Sequence, residues 1–521
     1  MSAEDQPEPA RPRRPVGASA TDLARALGAE QPAQDAELHG VTLDSRSVQP
    51  GDLWCALPGA TAHGADFAAQ AAARGAVMAL TDPAGSERCR AAGLPALIVA
   101  DARAATATAA ALVQGRPAQR LATIGVTGTN GKTSITTAVT RTLQALAVPA
   151  GVIGTSGTSY RGADGAEHRI ATVRTTPEAP ELHGILARMV EDGVQVAAME
   201  VSSHALVLHR ADEVVVDVAC FTNLTQDHLD FHGTMEAYYQ AKRELFTQRH
   251  ARSGVICVDD PWGRRLAREA EIPVVTYATL PGVEADHVAL DLRPDGYGST
   301  FTAHGPDGAR TLHAALPGRH YVANTLAAEL LLAAVGHHGP RVARALGVAG
   351  TVPGRMEPVA HSPIRGVVDY SHTADALDQA LSTLRAVPDT GRLIVVMGAG
   401  GDRDRSKRPA MGAAAARLAD VVIVTDDNPR TEDPAAIRAA VIGGIPADTK
   451  AQVHEVDGRG AAIDLAARLA DVSDTILVAG KGAETGQTIG GIVQPFDDRL
   501  RLRDALTARG GTDVDDTDEG R

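Results

Sequence analysis

Residues 121–134 read LATIGVTGTNGKTS, and the reading of this stretch decides the fold class. The run from Leu121 to Val126 is apolar and carries Ile and Val, the composition of a strand buried in a parallel sheet. A tight turn with Gly128, Asn130 and Gly131 follows, then Lys132, Thr133 and a Thr-, Ala- and Leu-containing segment that reads as a helix. Strand, glycine-rich turn and helix in that order aim backbone N–H groups and a helix N-terminus at a polyphosphate. Gly128, Thr129, Asn130, Gly131 and Ser134 would wrap the phosphates. Lys132 would neutralise the β- and γ-phosphates, and the Thr133 hydroxyl would ligate Mg2+. The usual eight-residue pattern asks for glycine at 126, where this chain has Val126. A glycine-rich turn with a surface lysine is the bland alternative. The strand before, the helix after and Lys-Thr in register disfavour it, so a nucleoside triphosphate is the expected ligand.

Outward from this stretch, 521 residues are too many for one core. With 3% aromatic residues, the cores must be built mainly from Ala, Val, Leu and Ile. A net charge of -14 argues against non-specific binding to nucleic acid. No apolar run approaches the ~20 residues needed to span a bilayer, so no membrane partner is expected. The four cysteines, Cys55, Cys89, Cys220 and Cys257, are far apart and read as buried free thiols of a reducing cytoplasm. Residues 1–20, rich in proline and arginine and without an apolar signal core, read as a disordered leader. Residues 21–120 alternate short strands and helices as a small α/β domain. Residues 121–354 carry the apolar runs VQVAAME, VVVDVACF and GVICVD of a mostly parallel sheet. Residues 355–508 repeat that alternation in a Rossmann-like α/β domain, with RLIVVMGAG, ADVVIVTDDNP and DTILVAGKG each ending in a polar loop. Such carboxyl ends are where ligands bind in open parallel sheets. Residues 509–521 read as a disordered acidic tail. The expected fold class is therefore α/β in three domains.

Three stretches of the central unit carry chemistry. Glu200 closes VQVAAME, His228 lies in FTNLTQDHLDFHG, and Lys242 lies in the helical YYQAKRELF. Singly each has a dull reading: a capping acid, a polar loop residue, a solvated charge. Beside a phosphate loop, an acid and an imidazole at neighbouring strand ends make a plausible Mg2+ site.

These stretches, with EVSSHALVLHR, PGRMEPV, VDYSHTADAL, GGDRDRSKRP and DDNPR, resemble the Mur ligases from about Gly40 to Arg499, in the family's order. Within that family the chain is similar to the UDP-N-acetylmuramoyl-tripeptide synthetase branch. The resemblance implies a cytoplasmic, monomeric, ATP- and Mg2+-dependent amide ligase of peptidoglycan precursor synthesis. It would phosphorylate the γ-carboxylate of D-Glu in UDP-MurNAc-L-Ala-D-Glu and join diaminopimelate to it. The first domain would hold the UDP end, through Leu43, Ser45 and His63. Thr175, Thr176, Ser202 and Arg210 would contact the muramoyl-dipeptide. Lys132, Glu200, His228, Lys242 and His372 would be catalytic, with Thr133, Glu200, His228 and a carbamylated Lys242 around two metal ions. Asn324, Arg355 and Asp369 would line the nucleotide. Arg403, Asp427, Asn428, Pro429, Arg430, Gly480 and Glu484 would surround the diamino acid, where a planar arginine fork suits a carboxylate. The chain departs from the family at Leu208, Tyr321, Ser371, Ala374, Ala483 and Gly486. The departures around Ala483 and Gly486 motivate one alternative, a related ligase such as a folate-polyglutamylating enzyme or a specialised-metabolism paralogue; a non-catalytic nucleotide-binding regulator and a GTPase switch are the others. The stretches DSRSVQPGDLWCALPG and HGADF oppose the folate enzyme, whose family lacks this first domain. The absence of an NKxD-type tetrapeptide opposes the GTPase.

Overall fold

A computed structural model describes residues 10–59, 61–295, 297–349, 351–388, 390–509 and 512–513. Three sheets organise them. In the first, the strands Gly40–Thr42, Asp52–Ala56, Met78–Thr81 and Ala96–Ile98 lie side by side and all parallel. The second has eleven strands. Its parallel centre places Ala122–Thr127 between Val196–Glu200 and Val218–Phe221. Antiparallel strands close both edges, with Gly157–Arg161 and Glu167–Ile170 on one side and Gly298–Gly305 and Gly308–Ala314 on the other. The third has seven strands, its middle formed by Leu393–Met397, Thr475–Ala479 and Arg365–Asp369, all parallel.

Register explains the placement of the site. Glu200 pairs with Val126 and Phe221 with Thr127, so both neighbouring strands end beside the phosphate turn. Val126, which departs from the phosphate-loop pattern, is a strand residue with its side chain wholly in the core. Helix Lys132–Ala145 then packs back on the sheet and against helices Arg319–Ala334 and Pro340–Ala349. One continuous apolar cluster runs from Ile124 and Val139 through Leu326 to Leu377 and Val395, joining the second sheet to the third. Its members are mostly aliphatic, as a chain poor in aromatics requires. All four cysteines are free and buried, and among the described residues no helix is long and apolar enough to cross a membrane.

The ends of the chain differ from expectation. Disorder through residue 20 does not hold for residues 10–20, because the leader's arginines find carboxylates. Arg11 forks onto Asp52 at 2.7 and 2.8 Å, and Arg13 reaches Asp192 at 2.6 Å. Ala18–Ser19 pairs with Glu37–Leu38. At the other end, the Arg509 guanidinium donates to the carbonyls of Ala467, Arg468 and Ala470, and Thr512–Asp513 pairs with strand Glu357–Ser362. Residues 1–9, 510–511 and 514–521 lie outside the described residues, and with them most of the acidic tail.

Candidate active site

The phosphate turn is built from two glycines at positive φ. Gly128 has φ 146° and Gly131 φ 89°, and a Cβ on either would run into Thr222 or Asn324. The turn is pinned to the neighbouring strand end: Asn130 N donates to Asn223 Oδ1 at 2.9 Å, and Thr225 N donates to Thr129 Oγ1 at 3.0 Å. Lys132 curls back, its Nζ donating to the carbonyls of Gly128 and Thr129, each at 2.9 Å.

Lys242 meets the same carbonyl. Its helix, Met235–Arg243, carries Nζ to 2.9 Å from Gly128 O and 4.6 Å from the centre of the Tyr238 ring. Two lysines thus converge on one acceptor in a dry place. Burial pushes both pKa values down, and the nearness of Lys132 depresses Lys242 further. Lys242 is therefore a buried side chain whose charged form is disfavoured, not a solvated surface charge.

Thr133 Oγ1 donates to Glu200 Oε1 at 2.9 Å. Thr155 supplies the other hydrogen bonds to that carboxylate, through N at 2.8 Å and Oγ1 at 3.1 Å. Glu200 is buried with neutral donors alone among the described residues, and its carboxylate and the two threonine hydroxyls are oxygen ligands that suit a hard divalent cation. His228 sits apart, half-exposed and at φ 52°, with Nε2 3.4 Å from Asp227. Desolvation outweighs Asp227 and holds its pKa at about 4, so the ring is neutral near pH 7. Among the described residues, no three His, Cys, Asp or Glu side chains form a ready metal cluster. Thr133 and Glu200 touch, whereas His228 and Lys242 approach from other sides of the turn.

The third sheet closes over this region. Arg355, in the connection between sheets, stacks 4.3 Å over Tyr370 and donates to Thr133 Oγ1 at 3.4 Å. Asp369 caps the same connection by accepting from Met356 N at 2.7 Å and from Ser371 N at 2.9 Å. Ser371, one of the departures, also bonds Asp369 through its hydroxyl. His372 is turned by a 2.9 Å bond between Nδ1 and Tyr370 O. Asp375 reaches the phosphate turn itself, accepting from Asn130 Nδ2 at 3.1 Å.

A cavity of about 860 Å³ runs between the second and third sheets. On one wall it has Thr175, Thr176, Ser202, Arg210 and His228, and on the other Arg355 and His372, with Arg403, Asp427, Asn428, Arg430, Gly480 and Glu484 at the far end. Thr176 Oγ1 donates to Glu200 O at 2.8 Å, which ties the first wall to the strand that ends in the acid. Arg210 is engaged by Glu178, with Nε 2.9 Å from Oε1. Arg430, at φ 56°, donates through Nη1 to Gly401 O at 2.5 Å. It does not pair with Glu432, which is held by Arg405 and Arg408. Pro429 is buried beside Gly401.

Leu43, Ser45 and His63 stay on the first sheet, away from this cavity. Ser45 Oγ donates to Gln70 at 2.6 Å, His63 Nε2 lies 3.0 Å from Asp82, and Trp54 Nε1 donates to Leu43 O at 3.3 Å. Lys132, Thr133, Glu200, Lys242, Asn324 and Asp369 lie behind the cavity wall rather than on it. Sequence reasoning missed Thr155, Asp227, Tyr370, Asp375 and Lys481. Of these only Lys481 had a signal, a lysine flanked by glycines at a strand end.

The sequence matches the Mur ligase middle domain over residues 126–332. It also matches the glutamate ligase domain of Mur ligases over 354–482 and the Mur ligase family catalytic domain over 37–115. A UDP-N-acetylmuramoyl-L-alanyl-D-glutamate–2,6-diaminopimelate ligase of Streptomyces coelicolor is 48% identical, over 95% of this chain and 98% of its own length. A UDP-N-acetylmuramyl-tripeptide synthetase of Leifsonia xyli is 41% identical, over 96% and 98%. A solved structure of a UDP-N-acetylmuramoyl-L-alanyl-D-glutamate–2,6-diaminopimelate ligase superposes with a TM-score of 0.66 at 31% identity, covering 95% of this chain and all (100%) of that one. A folylpolyglutamate synthase of Mycobacterium tuberculosis shares the fold at 22% identity and a TM-score of 0.59, covering 72% of this chain.

Proposed function

Since this chain belongs to the Mur ligase family, we propose that it is the ATP-dependent ligase that joins diaminopimelate to UDP-MurNAc-L-Ala-D-Glu. The observation that carries this reading is the cavity between the second and third sheets. One end is lined by Asp227, His228 and Arg355, whose guanidinium reaches Thr133, and the other by Arg430, Asp427 and Glu484.

The residues divide the work. Lys132 and the turn N–H groups hold the triphosphate so that its γ-phosphoryl faces the substrate carboxylate. A carboxylate oxygen attacks the γ-phosphorus, the bond to the β-phosphate oxygen breaks, and ADP leaves an acyl phosphate. The free amine of the diamino acid then attacks the acyl carbon, inorganic phosphate departs, and the amine proton is lost as the amide forms. Arg355 would meet the phosphates, and His372 the reacting groups. Thr133 and Glu200 would hold one Mg2+, and His228 with Lys242 a second. When bound, these ions neutralise phosphate charge and hold its oxygens in line. Lys242 would contribute as a carbamate. A buried amine with its pKa depressed captures CO2, and an ammonium beside Lys132 could not ligate a cation. Leu43, Ser45 and His63 would bind uridine, and Thr175, Thr176, Ser202 and Arg210 the dipeptide. Asn324, over the phosphate turn, and Asp369 would line the nucleotide. The reading also carries a monomeric, cytoplasmic enzyme acting on small molecules.

Incubation with UDP-MurNAc-L-Ala-D-Glu, ATP, Mg2+ and a panel of amino acids, with mass detection, tests it. A product heavier by one diaminopimelate less water is expected, with phosphate released only when both substrates are present. Phosphate release that ignores the amine would sink the reading. Ala483, a small side chain on the cavity wall, favours one second reading, a paralogue that accepts a different amine. The same panel detects it.

A further inference from the structure

Lys481 is wholly buried at the far end of the cavity, among the residues proposed to receive the amine. Its backbone is flanked by Gly480 at φ 119° and Gly482 at φ 55°. A Cβ on Gly480 would strike the Asp427 carboxylate, and one on Gly482 would lie 2.7 Å from Gly354 O. Only glycines let the turn press between these groups, and the turn sends the Lys481 side chain inward. An ammonium has three N–H donors, and all three are used. Nζ lies 2.9 Å from Glu484 Oε2, 3.2 Å from Asn428 Oδ1 and 2.6 Å from Gly486 O.

Asn428 is thereby fixed in one orientation. Its Oδ1 accepts from Lys481 and, at 2.9 Å, from Thr488 N. Its Nδ2 donates to Asp427 Oδ1 at 3.1 Å and to Glu484 Oε2 at 2.9 Å. Turning the amide over would set its carbonyl against two carboxylates. Glu484 is likewise held by one oxygen, Oε2, while its side chain is about two-fifths exposed to the cavity (41%). The other oxygen is left for a ligand.

Resting on the ligase reading, we propose that Lys481 is the positioning residue of the amine subsite. It acts through Asn428 and Glu484 and does not touch substrate. It turns the Asn428 NH2 onto the Asp427 and Glu484 carboxylates, which fixes both on the cavity wall. It also holds Glu484 so that one oxygen receives the ammonium of a zwitterionic amino-acid centre. The subsite therefore selects amines that carry a second charged amino-acid head. A plain alkyl monoamine would leave Glu484 and Arg430 unmatched, and a site with buried polar groups rejects ligands that cannot pair them.

The two half-reactions separate this role from a structural one. The wild-type enzyme is measured first. If it makes no diaminopimelate product, the proposed function falls and takes this inference with it. With wild-type turnover in hand, K481M is expected to raise the KM for diaminopimelate by roughly 30-fold or more, near 2 kcal/mol at ~1.4 kcal/mol per decade. Acyl-phosphate formation, trapped by hydroxylamine without the amine, should stay within about threefold of wild type, since it precedes amine attack. K481Q, which keeps two donors, should recover part of the KM, and it serves as the test variant should K481M not fold. An unchanged KM, or equal losses in both half-reactions, overturns the positioning role. So does a wild-type complex in which Lys481 Nζ hydrogen-bonds diaminopimelate itself.

Discussion

At the scale of single residues, the arrangement turns on charges with few partners. Lys242 and Lys132 both point at Gly128 O, and two ammonium groups cannot share that site comfortably without an anion between them. Carbamylation would supply one. Lys242→Ala should be nearly inactive, and added short carboxylates should restore part of the rate. An unmodified lysine in a well-resolved map of enzyme prepared with CO2 present would count against it. Arg430 makes a different case. One nitrogen is spent on Gly401 O, and the rest of the guanidinium faces the cavity rather than Glu432. Truncating one partner of a desolvated charge pair costs about 2–5 kcal/mol. Arg430→Ala should weaken diaminopimelate use by roughly 30-fold or more, at ~1.4 kcal/mol per decade. Competitive use of lysine by the unmodified enzyme would remove the reason for expecting it.

At the scale of elements, the connection between the second and third sheets is as tightly specified as either sheet. Gly354 sits at φ 68°, and a Cβ there would overlap the Gly482–Ala483 backbone. The same connection carries Arg355 to Thr133, so the amine loop and the nucleotide loop are braced on one short segment. Backbone cannot yield as a side chain tip does. Gly354→Ala should lower stability by about 1–3 kcal/mol and depress turnover with both ATP and the amine. Thermal midpoint and steady-state kinetics together check it. A variant with wild-type values in both would show that the connection is looser than its packing indicates.

At the scale of the whole molecule, burial sets a pH dependence of stability. His183, on helix Ala179–Glu191, is completely buried. Its Nε2 lies 3.2 Å from Asp212 O, so Nε2 carries the hydrogen, and Nδ1 has no partner among the described residues. Desolvation lowers its pKa to about 4, against ~6.5 in an unfolded chain. Between those values the unfolded state binds more protons, so stability rises with pH and is lost as pH falls from ~6.5 toward 4, by at most about 1.4 kcal/mol per pH unit. Denaturant midpoints of wild type and His183→Gln across that window should differ in slope, the variant being flatter. Parallel slopes would rule out His183 as a source.

What the sequence determined by itself is what short-range pattern encodes. The strand–glycine turn–helix of residues 121–134 fixed the tight turn before the helix, because Gly128 and Gly131 are the residues that tolerate its positive φ values. Alternation of apolar runs and helices fixed the α/β class, since a strand buried on both faces must be apolar throughout. The motifs also placed Glu200, Arg430 and Glu484 at strand ends, where parallel sheets bind ligands. Tertiary structure alone decided which of them meet. Glu200 lies beside Thr133, 67 positions away in the chain, because its strand pairs with Val126, a register the sequence does not announce. Lys242 meets Gly128 O across 114 residues. Lys481, read only as part of a glycine-flanked loop, proves to be buried with all three donors bound. Arg11 and Arg13, read as disordered, find Asp52 and Asp192. The reason is common to all four: pairing of charges and hydrogen-bonding groups depends on distance in space, and a sequence lists neighbours only along the chain.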